Sequence, residues 1–360
     1  MSLPQTGIAD ADDTRTIGTR PALLVRRVAR SSNLYILLVE IFLIAFFGLV
    51  STNHVFLGST NLVNIAWDTA ETLLLAIGET FVIITAGIDL SVGTVLMVSG
   101  VAASWVMATT AGTPNQVTNG EFPHAGVAIA LAIPVGLACG MVFGAINGVL
   151  IARLRLPPFI VTLGTFSVAN GLGDLISAAG AAKQAAIPTA PDVYANTFGS
   201  GHLVLGLPTL VVVSAVLAVL AHVLLTRTLF GRRTFAVGSN LEGSRLAGVP
   251  VNRQLIMVYV LAGFMSGLAG LFDLARFHTV DIQGHSLDNL NAIAAVVIGG
   301  TSLFGGTGSI IGTVIGAFIP VTLSYGFTIL GFSSFWQLVA VGVIIIAAVL
   351  IDQVRRQKST

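Results

Sequence analysis

The feature that most limits what this chain can become is the length of its apolar runs. A helix needs roughly 20 apolar residues to cross a bilayer. Ten runs of about that kind can be drawn, at 33–50, 62–86, 91–110, 125–152, 157–179, 203–226, 253–274, 288–301, 309–330 and 334–352. Strands of a membrane barrel would instead read as short segments of alternating polarity. Charged residues make up only 9% of the 360, against about 25% in a soluble domain. The expectation is an all-α integral membrane protein of about ten transmembrane helices, some of them short or interrupted, partnered by the lipid bilayer. The net charge of +1 gives no ground for a nucleic-acid partner. The single cysteine, Cys139, sits among apolar residues, so neither a disulfide framework nor a cysteine metal site is available.

Charge placement orients the chain, because Lys and Arg near span ends favour the cytoplasm. With ten spans both termini share one side. That side collects five arginines in the tail 1–32, Arg153 and Arg155, five more from Arg227 to Arg253, and Arg355, Arg356 and Lys358. Together they are 15 of the 17 basic residues, which leaves Lys183 and Arg276 opposite. Residues 1–32 and 353–360 are therefore expected to be cytoplasmic tails around a membrane domain at 33–352. The tail 1–32 lacks the pattern of a secretory signal.

One interior connection, 226–252, is too polar and too long to be a tight turn. The run from Glu242 to Ala247 is helix-compatible, Gly238-Ser239-Asn240 offers a turn and a helix cap, and Gly248 and Pro250 would stop the helix. A short cytoplasmic helix held between two spans is suited to receive or pass on a push. The connections at Gly87 and Gly300 share the pattern G-x-x-L-x-x-G inside apolar surroundings, and 288–301 is short for a span. Interrupted backbone at membrane depth is tolerated where it lines a cavity. Gly140-x-x-x-Gly144 and Gly312-x-x-x-Gly316 let helix backbones approach.

Ionisable groups at membrane depth are costly and point to a pathway or a partner. Glu79 reads equally as a structural pair or as pathway lining, and Asp89, with Ser91 beyond it, as a helix cap or as pathway lining. Asn147, Thr162, Thr165 and Asn170 add polar atoms that serve as interhelical glue or as contacts for cargo. Arg276, His278, Asp281 and His285 are expected in a solvated outer loop, or as a docking rim, and the two histidines there lack further ligands for a metal. A phosphate-binding loop needs G-x-x-x-x-G-K-[ST], and neither Lys183 nor Lys358 stands in that context. No nucleophile and base pair is evident. The chain reads as a non-catalytic transport subunit that binds no cofactor itself.

Four blocks resemble a known family: AIGETFVIITAGIDLSVGTVLMVSG at 76–100, NGVLIARLRLPPFIVTLGTFSVANGL at 147–172, GRRTFAVGSNLEGSRLAGVPV at 231–251 and LNAIAAVVIGGTSLFGGTGSIIGTVIGA at 290–317. They are similar to the permease subunits of ribose-, xylose- and galactose-type ABC importers, in family order. The resemblance implies a pair of permease subunits, most simply a homodimer, in the bacterial inner membrane. It implies a cytoplasmic ATPase that uses ATP and Mg, and a periplasmic sugar-binding protein. Segment 238–250 resembles the coupling helix, with Gly238, Asn240, Glu242, Arg245 and Gly248 facing the ATPase. Many relatives carry an acid directly before the A-I-A-A block, where this chain has Asn291, with Asp288 three residues earlier. The expected function is alternating-access import of a pentose or hexose driven by that ATPase. The alternatives are an ion-coupled secondary transporter using Glu79 and Asp89, and a receptor or scaffold without transport.

Overall fold

The computed structural model describes residues 32–182, 190–204, 206–333 and 335–357. Residues 1–31 of the expected N-terminal tail, Lys183 and the last three residues lie outside them. In chain order the main helices are α1 (Ser32–Val50), α2 (Ser59–Ile84), α3 (Val92–Thr110), α4 (Ala125–Leu154), α5 (Pro158–Ala182) and α6 (Thr209–Arg227). They continue as α7 (Leu229–Ser239), α8 (Leu241–Leu246), α9 (Val251–Phe277), α10 (Asp288–Ile298), α11 (Ile310–Ile329) and α12 (Phe335–Gln357). The described residues form one small sheet, an antiparallel hairpin of His202–Val204 with Leu207–Pro208. The all-α membrane architecture is borne out.

Eight of these helices are long and apolar enough to cross a membrane. The other two expected spans are the instructive ones. Helix α2 has 26 residues but carries Asp68, Glu71 and Glu79. It is nonetheless the core of the bundle, because Leu74, Ile77, Phe81 and Ile84 are fully buried against α9, α10 and α11. Helix α10 has only 11 residues, which at about 1.5 Å per residue spans half a bilayer. At the periphery, α12 is only 6% buried over its apolar window.

Close backbone approach holds the centre together. A Cβ on Gly140 would strike the carbonyl of Gly263, and one on Gly144 the carbonyl of Tyr259, so α4 and α9 touch main chain to main chain. Gly312 and Gly316 do the same for α11 against Gly299 and Ala295 at the end of α10. Both glycine pairs singled out in the sequence are therefore packing devices.

The segment between α9 and α10 turns back into the bundle. A Cβ on Gly100 would meet Val280, and one on Gly93 would meet the carbonyl of His285, so the chain descends along α3 by seven residues, or about 10 Å. The descent ends where the Asn289 side-chain amide donates to the Leu90 carbonyl at 3.0 Å. Helix α10 thus begins inside the bundle, which is why 288–301 is short.

The α2–α3 connection is strained at Ala86, which has φ of 61°, a left-handed conformation that costs an alanine about 1 kcal/mol. Ala86→Gly is expected to raise the melting temperature of the purified protein by a few degrees, measured by tryptophan fluorescence. An unchanged or lowered value would show that the methyl group's packing outweighs the strain.

Candidate translocation pathway

Two cavities open on either side of a buried polar knot. One, called outer after the side expected to face away from the cytoplasm, has about 530 Å³ and is lined along α2 by Asp68, Glu71, Thr72 and Leu75, and by Asp288 and Asn291 at the start of α10. The inner one, about 360 Å³, is lined by Thr85, Ala86, Gly87 and Tyr259, with Arg155 and, from α8, Leu241, Glu242 and Arg245. Between Leu75 and Thr85 on the same helix stands Glu79, which is 0% exposed.

The knot is built from residues that the sequence marks as polar at membrane depth. Glu79 Oε1 accepts the Asp89 backbone N–H at 3.0 Å, and its other oxygen is buried without a hydrogen bond. Asp89 Oδ1 accepts the Ser91 N–H at 2.9 Å and the Ser91 hydroxyl at 2.5 Å. The Asn147 amide of α4 donates to Ser91 Oγ at 3.0 Å and to Asp89 Oδ2 at 3.5 Å. Thr165 of α5 donates to Asn147 Oδ1 at 2.5 Å, and Thr162 donates to the Ile88 carbonyl at 3.2 Å. Asp89 therefore closes the turn that leads into α3, and it ties α2, α4 and α5 through one network. Burial without these bonds would cost about 1–3 kcal/mol for each polar group. Asn170, five residues beyond Thr165, is half-buried.

Asp288 and Asn291 lie on the outer cavity, apart from the knot. There the expectation of a solvated loop fails for Arg276 and His285. Arg276 pairs with Asp68, which also accepts the Tyr325 hydroxyl at 2.7 Å, and its guanidinium lies 5.2 Å from the Trp67 ring centre. His285 is buried: Nδ1 lies 2.8 Å from Asp288 Oδ2 and 4.0 Å from Glu71 Oε1, and Nε2 lies 3.3 Å from Asp273 Oδ2. His278 is half-buried and Asp281 exposed. No sequence signal links His285 to Glu71 and Asp273, which come from other helices; only the short span 288–301 hints that the chain before it re-enters.

On the opposite face the expected short helix is present as α8. Asn240 caps it, accepting the Gly243 N–H on Oδ1 at 2.7 Å, and Gly248, at φ of 80°, ends it in the left-handed conformation that glycine favours. Glu242 and Arg245 form an exposed pair at 2.8 Å. Leu246, absent from the sequence-based candidates, is 90% exposed at the tip. Unforeseen in the sequence is α7, which precedes α8 and is fastened inward. A Cβ on Gly238 would strike the Ile84 carbonyl, and that carbonyl accepts the Gly306 N–H at 2.9 Å. Gln254 of α9 donates to Thr234 at 2.9 Å and to the Phe230 carbonyl at 3.1 Å. The two G-x-x-L-x-x-G connections therefore meet each other and α7 at one point, and α8 projects beyond it.

Comparison with known proteins agrees with a membrane permease. The family model described as the branched-chain amino acid transport system / permease component matches residues 61–349. The ribose import permease protein RbsC of Bacillus subtilis (strain 168) is 38% identical over 307 residues, covering 84% of this chain and 87% of that one. RbsC of Escherichia coli (strain K12) is 36% identical over 339 residues, or 94% and 98% of the two chains. The fructose import permease protein FrcC of Rhizobium meliloti is 38% identical over 279 residues, or 76% and 72%. No solved structure matches. The chain belongs to the branched-chain amino acid transport system permease component family.

Proposed function

We propose that this chain is the membrane-spanning subunit of an ATP-binding-cassette importer for a monosaccharide, working as a homodimer in a bacterial inner membrane with both termini in the cytoplasm. The observation that carries the reading is the pairing of two cavities across the Glu79–Asp89–Asn147 knot with an arm, α8, that borders the inner cavity. A monosaccharide cargo is supported by the names of the ribose, fructose and allose permeases, and it would reach the outer cavity from an extracytoplasmic binding protein. Asn291, Gln337 and Tyr325 offer that cavity the amide and hydroxyl groups that polyols recognise. A separate ATPase, with its ATP and Mg, docks on α8 and moves it. The arm passes the displacement to α7 and so to the ends of α2 and of the 300–308 connection, and the knot parts and re-forms. The chain itself performs no hydrolysis, consistent with its lack of a phosphate-binding lysine.

Leu246 is then the anchor of the docking surface, and an apolar anchor is worth about 2 kcal/mol at an interface, or roughly 30-fold in affinity. Leu246→Asp, and Glu242→Ala with Arg245→Ala, are expected to cut copurification of the ATPase and ATP-driven uptake together. The isolated permease should melt unchanged, since these side chains are exposed. Uptake in vesicles that persists with an ion gradient and no ATP would replace this reading with a secondary transporter.

A further inference from the structure

Glu71, His285 and Asp288 converge from three separate stretches: the buried helix α2, the re-entrant segment and the first turn of α10. The imidazole Nδ1, a carboxylate oxygen of Asp288 and one of Glu71 all lie within 4.8 Å of one another. Bonds from imidazole nitrogen or carboxylate oxygen to a metal such as zinc are about 2.0–2.2 Å. Two donors on one tetrahedral ion therefore stand roughly 3.3–3.5 Å apart. To admit the ion, the 2.8 Å gap from Nδ1 to Asp288 must open by about half an ångström and the 4.0 Å gap to Glu71 must close by about as much. Both are within reach of side-chain rotation.

A second observation points the same way. Asp273 Oδ2 is buried on the same cavity, its side chain 3% exposed, and it faces the other ring nitrogen, Nε2, at 3.3 Å without making a hydrogen bond. A carboxylate opposite the second nitrogen is the arrangement that fixes the tautomer and orientation of a metal-bound histidine. Nδ1 and Asp288 Oδ2 share a hydrogen across 2.8 Å; an ion that displaces it leaves the other hydrogen on Nε2, opposite Asp273, and the Nδ1 lone pair turned toward Glu71 and Asp288. Charge balance agrees: Asp68 is taken by Arg276, which leaves Glu71, Asp273 and Asp288 around one imidazole.

We propose that Glu71, His285 and Asp288 bind a divalent transition-metal ion on the wall of the outer cavity, with Asp273 as the positioning residue. One nitrogen and two carboxylate donors suit zinc, cobalt or manganese better than magnesium or calcium, which take oxygen ligands. Three protein ligands leave a coordination position facing the cavity. On binding, the ion takes the Nδ1 lone pair, and any proton held there leaves to solvent. The ion would clamp α2, the re-entrant segment and α10 together at the root of the outer cavity. This inference stands apart from the identity of the cargo.

The test is equilibrium binding of zinc to the detergent-purified, chelator-treated permease, read by elemental analysis after desalting, with cobalt as a second probe whose visible absorption reports its coordination. One saturable ion per chain is expected. Glu71→Gln and His285→Gln should each weaken binding at least tenfold and abolish the cobalt band, while His278→Gln, outside the cluster, should leave both intact. Should His285→Gln fail to give a monodisperse protein, Glu71→Gln and Asp288→Asn carry the same expectation. Absence of saturable zinc uptake by the wild-type chain, or uptake equal in wild type and in the Glu71→Gln and Asp288→Asn variants, overturns the proposal. Neither result bears on sugar uptake, which is measured separately.

Discussion

Gly144→Leu is expected to leave almost no folded permease in the membrane. A Cβ at this position would collide with the carbonyl of Tyr259 on α9, and the contact is backbone to backbone, so no rotamer change relieves it. The two helices must part. Parting removes the van der Waals packing that is the main attraction between helices in lipid, where no hydrophobic force favours their contact. Gly140 and Gly263 press on one another one turn along the same seam, and they separate too. Overpacking in a close-fitted core costs about 1–3 kcal/mol, occasionally more, and here two neighbouring contacts are lost with it. Against a total of about 5–15 kcal/mol, the loss is large enough to send most chains to degradation. Gly126→Leu on the same helix is the control, since a Cβ there meets nothing within 4 Å. Monodisperse protein recovered by size exclusion should fall more than tenfold for Gly144→Leu and stay level for Gly126→Leu. Equal yields would mean that α4 and α9 are less closely joined than described.

Asp89→Leu is expected to be nearly as damaging, and Asp89→Asn far less so. The carboxylate accepts the Ser91 N–H, the Ser91 hydroxyl and the Asn147 amide. Leucine fits the space roughly but leaves these donors buried and unpaired, at about 1–3 kcal/mol each. Asparagine keeps one oxygen for the Ser91 donors and gives up only the acceptor that faces Asn147. Asp89→Leu should therefore lower the melting temperature of the purified protein by ten degrees or more, given about 2–4 °C per kcal/mol for a chain of this size or somewhat smaller. Asp89→Asn should remain close to wild type in melting, yet lose uptake if the knot has to open and re-form in each cycle. A leucine variant that melts like wild type would show that water or another donor relieves the network.

These two sites differ in how much of them could be read from sequence. Glu79, Asp89, Asn147 and Thr165 are legible one by one, because a polar side chain inside an apolar run is costly wherever it points. Their convergence is not legible, since it depends on how α4 and α5 are turned against the α2–α3 connection. Asn240 and Gly248 declared the start and end of α8 through local chemistry alone, a cap and a left-handed stop. Leu246 gave no signal, because leucine at a helix tip reads like leucine in a core until its neighbours are known. Helix α10 announced its shortness, but the descent from Val280 to His285 did not. The polar residues there resemble an ordinary outer loop, and only Gly93 and Gly100 on α3, which have no side chain in the way, admit the segment. The acids of α2 keep it from reading as a plain apolar span, although its half from Leu73 to Ile84 is buried throughout.

The carbonyl of Ile84 is a rivet. It receives the Gly306 N–H and lies flat against Gly238, so three stretches more than 60 residues apart in the chain are pinned at a single atom. A lever whose arms share one pin cannot bend at one arm alone. Whatever tilts the arm at α8 must tilt the lower ends of both flanking connections by the same stroke, and a bulkier residue at position 238 would disengage the handle from the load without touching either cavity.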